Sequence, residues 1–168
     1  MLANYSRLVV FALGLLIGVQ APGFVDQYTK RVSAHQIEAA RNFKGFQDIA
    51  DQYFGGDVAA LIAHHAASQD EAFKDEGTTI QDMHNRLEAL TAELAALSGP
   101  LILQIIHVTL HPNREILEET RAVYSYTVPL NPSAVISGLI TGTVLAILIE
   151  TVLLALARLL RPRQYRSA

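Results

Sequence analysis

The stretch SGLITGTVLAILIETVLLALARLL, residues 137–160, decides the fold class of this chain. The apolar segment around this stretch, from Ser133 to Ala157, contains no lysine or arginine, and its single acid is Glu150. Those 25 residues would form about 37 Å of α-helix at roughly 1.5 Å per residue, which exceeds the hydrocarbon thickness of about 30 Å. We therefore predict a membrane-spanning helix here, and with it an all-α membrane protein.

A second apolar segment, Leu8 to Phe24, lies near the N-terminus. At 17 residues it is close to the lower limit for a span and could also be read as a secretory signal, because Val19-Gln20-Ala21 loosely resembles a cleavage site. Cleavage there would place Pro22 first in the mature chain, which signal peptidases tolerate poorly. An uncleaved anchor is therefore the favoured interpretation.

The basic residues predict the topology. Arg7 precedes the first segment and four arginines follow the second. Both termini are therefore expected on the cytoplasmic side of a bacterial inner membrane, with the middle in the periplasm. The middle, residues 25–131, holds 15 acids and 8 bases, which argues against nucleic acid as a partner. The chain has no cysteine, so disulfides cannot stabilise that middle.

The pattern of the middle predicts an antiparallel helical bundle. A long helix should leave the membrane at Phe24 and end before Gly55-Gly56, and Asp57 should cap a second helix that closes at Gly77. A third helix should start at Thr78 or Thr79. The apolar run LILQIIHVTL is too short for a span and is predicted to be a buried helix, followed by an amphipathic helix in NREILEETRAVYSY.

The third helix carries the clearest periodicity. Apolar residues recur there at alternating steps of three and four, which is typical of a coiled-coil seam. The pattern lasts less than three heptads, so an intramolecular hairpin or bundle is favoured over an oligomeric coil. The seam consists of Ile80, Met83, Leu87, Leu90, Leu94 and Leu97.

Three stretches resemble a family of proteobacterial two-span membrane proteins, domain of unknown function 2937. They are the glycine-rich GLLIGVQAPGFVDQY, the acidic SQDEAFKDEG, and YSYTVPLNPSAVISGLITG before and within the second span. The positions that match best are Pro22, Pro129, Gly138 and Gly142. The resemblance covers nearly the whole chain and implies the two-span topology, but no activity.

Both predicted spans contain a pair of glycines four residues apart. Gly14 and Gly18 lie in the first, Gly138 and Gly142 in the second, and small residues at this spacing allow helix backbones to approach closely. Centring both spans on the bilayer places Gly18 level with Gly142, so the motifs could bind each other within one chain. Pairing between subunits, or with another membrane protein, is the alternative.

Glu150 is the one acid within a predicted span. It lies about five residues past the centre, roughly 7 Å toward the cytoplasmic side by helix rise, so its burial is shallow. It shares a helical face with Thr143 and flanks the glycine stripe rather than lying within it. A partner-facing or headgroup-level polar contact is the favoured interpretation; a tolerated lipid-facing placement and ion or proton transport through Glu150 are the alternatives.

The histidines and one acidic stretch are the groups of side chains that could carry chemistry. His107 and His111 are one turn apart and are the best metal candidates, but the pattern lacks cysteine and HExxH, so no metal or other cofactor is predicted. The acids of SQDEAFKDEG do not match an EF-hand and are expected in a solvated turn. No hydrolase motif is visible, and we expect a protein that is not an enzyme.

The predicted organisation is a first span with its N-terminus in residues 1–24, a periplasmic bundle in 25–131, a second span in 132–157 and a basic tail in 158–168. We expect a scaffold or accessory subunit that assembles into a larger membrane complex or a homo-oligomer, with the lipid bilayer and other subunits as partners. A transport component using Glu150 and a periplasmic metal-binding protein are the competing hypotheses.

Overall fold

The computed structural model describes residues 2–125 and 132–159, and within them it contains six α-helices and no strand. The helices are α1 (Leu2–Tyr53), α2 (Val58–Ala66), α3 (Glu71–Ala96), α4 (Leu101–Leu110), α5 (Arg114–Val123) and α6 (Pro132–Leu159). The all-α prediction is therefore confirmed for these residues. By length and composition, α6 and the apolar N-terminal part of α1 could each cross a membrane.

Helix α1 runs without a break through Pro22, which is buried. A proline removes one backbone hydrogen bond, and membrane helices tolerate this where neighbouring groups compensate. The helix ends at Gly55 and Gly56, whose φ angles of 63° and 88° lie in the left-handed region that favours glycine. The predicted end of the long helix is thus confirmed.

The boundary between the second and third helices differs from the prediction. Asp57 caps α2 as expected, but α2 stops at Ala66, and Asp70 caps α3 by accepting a hydrogen bond from the Ala72 amide. The acidic stretch is therefore mostly the first turns of α3, not a solvated turn. Gly77, predicted to end a helix, lies inside α3. The position requires glycine because a Cβ there would come within 2.9 Å of the His65 Cβ.

Helix α4 begins after Pro100, as predicted, but it is not buried. Only Val108 is buried, while four large apolar side chains are exposed. The prediction failed because the apolar composition of LILQIIHVTL shows that water is disfavoured, and does not show what replaces it. Helix α5 is amphipathic as expected, with Ile116 and Thr120 buried.

The chain divides into two units. One unit combines the residues up to Val25 with those from Tyr124 onward, and we call it the span unit. The other, Asp26–Val123, is called the helical unit. Its antiparallel bundle arrangement stays a prediction, as do the domain limits and the topology.

A hydrophobic core within the helical unit joins three helices. It contains Phe43 and Ala50 of α1, Val58 and Leu61 of α2, and Ile80 of α3. Of the predicted seam of α3, Ile80 belongs to this core and Met83 and Leu87 pack against it. Leu90 and Leu97 are buried as well, and Leu94 is half-buried.

Parts of the prediction fall outside the described residues. These include Pro129 in the approach to the second span and the arginines of the basic tail from Arg161 onward. Pro132 is the first residue of α6, a position where its fixed φ and missing amide hydrogen are favourable.

Candidate functional site

The four predicted glycines lie together between α1 and α6 within the span unit. A Cβ added to Gly14 would lie 2.9 Å from the Gly142 Cα, and one added to Gly142 would lie 2.9 Å from the Phe11 carbonyl oxygen. Since real Cβ atoms do not approach backbone so closely, these positions admit only glycine without a shift of a helix. The two helices therefore contact each other backbone to backbone within one chain.

The other glycine pair continues the contact in antiparallel order. A Cβ on Gly18 would lie 2.6 Å from the Thr141 Cβ and 2.8 Å from the Ser137 carbonyl oxygen. Gly138 packs against Val19, with its Cβ position 3.0 Å from the Leu15 carbonyl oxygen. All four glycines are buried.

The register of this contact differs from the predicted one by one turn. Centring the two spans on the bilayer predicts Gly18 level with Gly142, whereas Gly14 is opposite Gly142. The error came from centring both segments on a bilayer, because α1 continues far beyond its apolar part and its centre is not marked by the sequence. Contact between glycine backbones determines the register instead.

Glu150 lies on α6, two turns beyond Gly142, and its side chain is half-buried. It takes part in a polar or electrostatic interaction. The neighbouring Thr151 hydroxyl donates to the Ile147 carbonyl oxygen at 2.8 Å, so it is already used within its own helix.

Gln20 is the other polar side chain of note in the span unit. Its Oε1 atom is buried without a hydrogen-bond partner among the described residues, while its carbonyl oxygen accepts from the Tyr124 hydroxyl at 3.1 Å. In the observed register Gln20 is level with Ile136, which is 14 residues, or about 21 Å of helix rise, from Glu150. The two polar groups are thus far apart along the hairpin.

A buried polar cluster lies in the helical unit and was not predicted. The Tyr28 hydroxyl donates to the Glu93 Oε1 atom at 2.5 Å and accepts from the Asn113 amide at 2.8 Å. The same Glu93 oxygen hydrogen-bonds with the His107 Nε2 atom at 3.0 Å. We call Tyr28, Glu93, His107 and Asn113 the tyrosine cluster; it links α1, α3, α4 and the turn before α5.

The environment of this cluster keeps the tyrosine protonated. Burial, reinforced by the hydrogen bond to Glu93, raises the pKa of Tyr28 far above the usual phenol value, and the hydrogen bond from the Asn113 amide opposes that shift. Tyr28 is fully buried and Glu93 is mostly so. These contacts make the cluster a connection between helices rather than a group poised to react at neutral pH.

A second polar group lies along α5. Glu119 accepts from Arg31 at 3.3 Å and hydrogen-bonds with the His35 Nε2 atom at 2.9 Å; the bond to His35 is the main reason that the pKa of Glu119 is lowered. Glu115 accepts two hydrogen bonds of 3.1 Å from Arg86, which lower the pKa of Glu115. These charged side chains tie α5 to α1 and α3.

A cleft of about 290 Å³ lies beside these ion pairs. Its lining includes His35, Glu38, Asn42 and Arg86. Two of these side chains, His35 and Arg86, are already bonded to carboxylates of α5. The cleft therefore offers a ligand no histidine or arginine that is without a partner.

The weak metal candidates do not converge. His107 uses its Nε2 atom in the tyrosine cluster, and His111 is exposed at the C-terminal end of α4. Among the described residues, no three histidine, cysteine, aspartate or glutamate side chains are grouped to hold a metal ion.

Sequence reasoning missed Tyr28, Glu93 and Asn113. Glu93 is half-buried and lies between the seam residues Leu90 and Leu94. An acid beside an apolar seam is the sequence feature that could have indicated a buried polar cluster. Its partners lie 65 residues away on α1 and 14 residues away on α4, a distance over which helical periodicity carries no information.

The comparisons with known proteins agree with the resemblance seen in the sequence. A family model described as "Protein of unknown function (DUF2937)" matches residues 2–162. No curated protein and no solved structure matches the chain.

Proposed function

The chain belongs to the DUF2937 family, and from that premise we propose that it is a non-catalytic inner-membrane scaffold or accessory subunit. In this proposal the hairpin of α1 and α6 anchors each chain, and the helical unit is presented on the periplasmic side. The chain joins a larger membrane complex or a homo-oligomer through its outward surfaces.

The observation that carries the proposal is the backbone contact at Gly14 and Gly142. Lipid provides no hydrophobic drive for helix association, so close packing of small residues is the interaction that holds two spans together. Because the glycines are used within the chain, each chain supplies a complete anchor. Partners are then expected on the lipid-facing sides of the spans or on the helical unit.

The placement of polar groups favours this function over transport. A proton or ion path needs several polar groups in series, whereas Gln20 and Glu150 are about 21 Å apart along the hairpin by helix rise. The Thr151 hydroxyl, next to Glu150, donates to its own helix. A fixed anchor needs no such series.

The experiment is native mass measurement of the full chain, released from lipid nanodiscs, with identification of the proteins that copurify. We expect a defined species heavier than one chain. A chain that is always recovered as a monomer without partners would refute the proposal.

Gly142→Leu tests whether the hairpin supports that assembly. Its side chain would collide with the Phe11 backbone, so the heavier species should decrease. The matched control is Gly45→Leu, since a Cβ on Gly45 meets no heavy atom within 4 Å. Glu150→Gln should leave the assembly intact, and a loss of ion flux without a loss of assembly would favour the transport hypothesis.

A further inference from the structure

Helix α4 has two faces, and the outward one is apolar. Ile102, Leu103, Ile106 and Leu110 are between 46% and 64% exposed. At about 100° per residue they fall within one arc of the helix, together with Thr109. The Thr109 hydroxyl donates to the Ile105 carbonyl oxygen at 2.7 Å, so this face presents no free polar hydrogen.

The polar side chains of α4 point the other way. The Gln104 side-chain amide donates to the Gly99 carbonyl oxygen at 2.7 Å, and His107 belongs to the tyrosine cluster. Both side chains are half-buried. The helix is therefore amphipathic in the reverse sense: its polar groups face the protein, and its large apolar groups face outward.

The tyrosine cluster also determines where in the helical unit α4 lies. His107 contacts Glu93, and Glu93 contacts Tyr28. Tyr28 is three residues after Val25, the last residue of α1 in the span unit. This separation is about 4.5 Å of helix rise, so α4 is held at the end of the helical unit where α1 enters from the span.

The turn between α4 and α5 is held by the same tyrosine. The backbone amide of Asn113, three residues after Leu110 at the end of α4, donates to the Tyr28 hydroxyl. The C-terminal end of α4 is thus tied to the same turn of α1 as His107.

We propose that α4 is an interfacial helix, with its Ile102, Leu103, Ile106 and Leu110 face inserted at the boundary between headgroups and acyl chains of the membrane that α1 and α6 span. This inference rests on the proposed membrane function. A helix of 10 residues, about 15 Å long, cannot cross the bilayer but can lie in its surface with the apolar face some 5–10 Å deep.

Lipid is the occupant that the structure favours because it needs no additional component. Helix α4 is tied to Tyr28, four residues along α1 from Phe24, where the predicted first span ends. Lipid is therefore available close to this helix in every chain, whereas a protein partner or a second copy would have to compete with lipid for the face. Helix α4 also contains no carboxylate that anionic headgroups would repel.

The absence of cysteine from the chain allows a clean test with single nitroxide labels. Full-length chains carrying Ile106→Cys, Ile140→Cys or Ala72→Cys are reconstituted in phosphatidylethanolamine and phosphatidylglycerol nanodiscs. Collision rates with oxygen, which partitions into lipid, and with a water-soluble nickel chelate are then measured. Ile140 is an exposed residue of α6 and reports lipid; Ala72 is exposed at the start of α3 and reports water.

The expected result is an oxygen-to-nickel ratio at Ile106 several-fold above that at Ala72 and approaching that at Ile140. A ratio equal to that at Ala72 would overturn the inference, as would shielding of Ile106 from both reagents, which indicates a protein cover. Disulfide formation between two Ile106→Cys chains would identify that cover as a second copy.

A water-like ratio at Ile140 would instead overturn the proposed membrane function, and the two failures are therefore distinguishable. Leu110→Cys repeats the measurement one turn away on the same face. It keeps the test decisive if substitution at Ile106 disturbs the fold.

Discussion

The interior of the span unit and the interior of the helical unit are stabilised in opposite ways. Large side chains such as Phe43, Leu61 and Ile80 fill the interior of the helical unit, whereas glycines such as Gly14 and Gly142 form the centre of the span unit. In water, burying apolar area is itself favourable, so large residues stabilise the interior. In the membrane position that we propose for the span unit that gain is missing, and the closest possible contact between helices replaces it.

The largest effect is expected from a cavity in the core of the helical unit. Ile80→Ala should lower the free energy of unfolding of that unit by about 4 kcal/mol, through lost burial and an unfilled cavity. Denaturant unfolding of the full chain, followed by circular dichroism, measures the change. Ile49→Ala, at an exposed position of α1, should change it by less than about 0.5 kcal/mol; equal effects would contradict the assignment of the core.

The reciprocal change, from small to large, should damage the span unit. Gly14→Leu is expected to cost about 3 kcal/mol, because the side chain meets the Gly142 backbone and the helices must separate. Nitroxides at the exposed residues Leu16 and Ile140 should show a longer and broader distance distribution. Gly45→Leu is the control, and an unchanged distribution in Gly14→Leu would show that the hairpin does not depend on glycine.

The tyrosine cluster is a buried polar interaction inside a unit that is otherwise stabilised mainly by apolar contacts. Tyr28→Phe should cost about 2 kcal/mol, because the Asn113 amide and Glu93 lose a buried partner. The native state raises the pKa of Tyr28, so the stability from this group is complete below pH about 10 and is lost as the pH rises beyond it.

Unfolding measured against pH checks this sign. The alkaline loss of stability should be smaller in Tyr28→Phe than in the natural chain. Tyr53→Phe, at an exposed tyrosine of α1, should retain the alkaline loss. If the Tyr28→Phe variant loses as much stability at high pH as the natural chain does, other groups cause the loss.

The smallest effect concerns the exposed ion pair between Arg86 and Glu115. Glu115→Gln should cost about 0.5 kcal/mol at low salt and less at high salt, as is usual for exposed pairs. Because Arg86 lowers the pKa of Glu115, this contribution is present above pH about 4.3 and is lost as the pH falls through the lowered value. Unfolding measured at pH 3 and pH 7 should show a smaller difference between variant and natural chain at pH 3 than at pH 7.

Much of the fold could be predicted from local patterns. The glycine turn after α1, the cap at Asp57 and the break at Pro100 all follow from properties of the residues themselves, and the structure confirms them. The predicted start of α3 is wrong because glycine is common at helix ends, whereas Gly77 lies within α3. Glycine is needed there to admit His65, a tertiary contact that no local pattern reveals.

The site was less predictable than the fold. The glycine positions were visible in the sequence, but their register was not, because it depends on which backbone atoms can touch. The partners of Glu93 were hidden by their sequence separation. The exposure of α4 was hidden because hydropathy reports the preference of a segment and not its surroundings.

Thr109 on α4 and Thr151 on α6 both donate to the carbonyl oxygen one turn earlier. Each therefore presents mainly a methyl group to its neighbours, and replacement by valine should be almost silent at either place. Hydropathy scales that assign one value to each amino acid count both residues as hydrophilic, and so underestimate the hydrophobicity of the outer faces of these two helices.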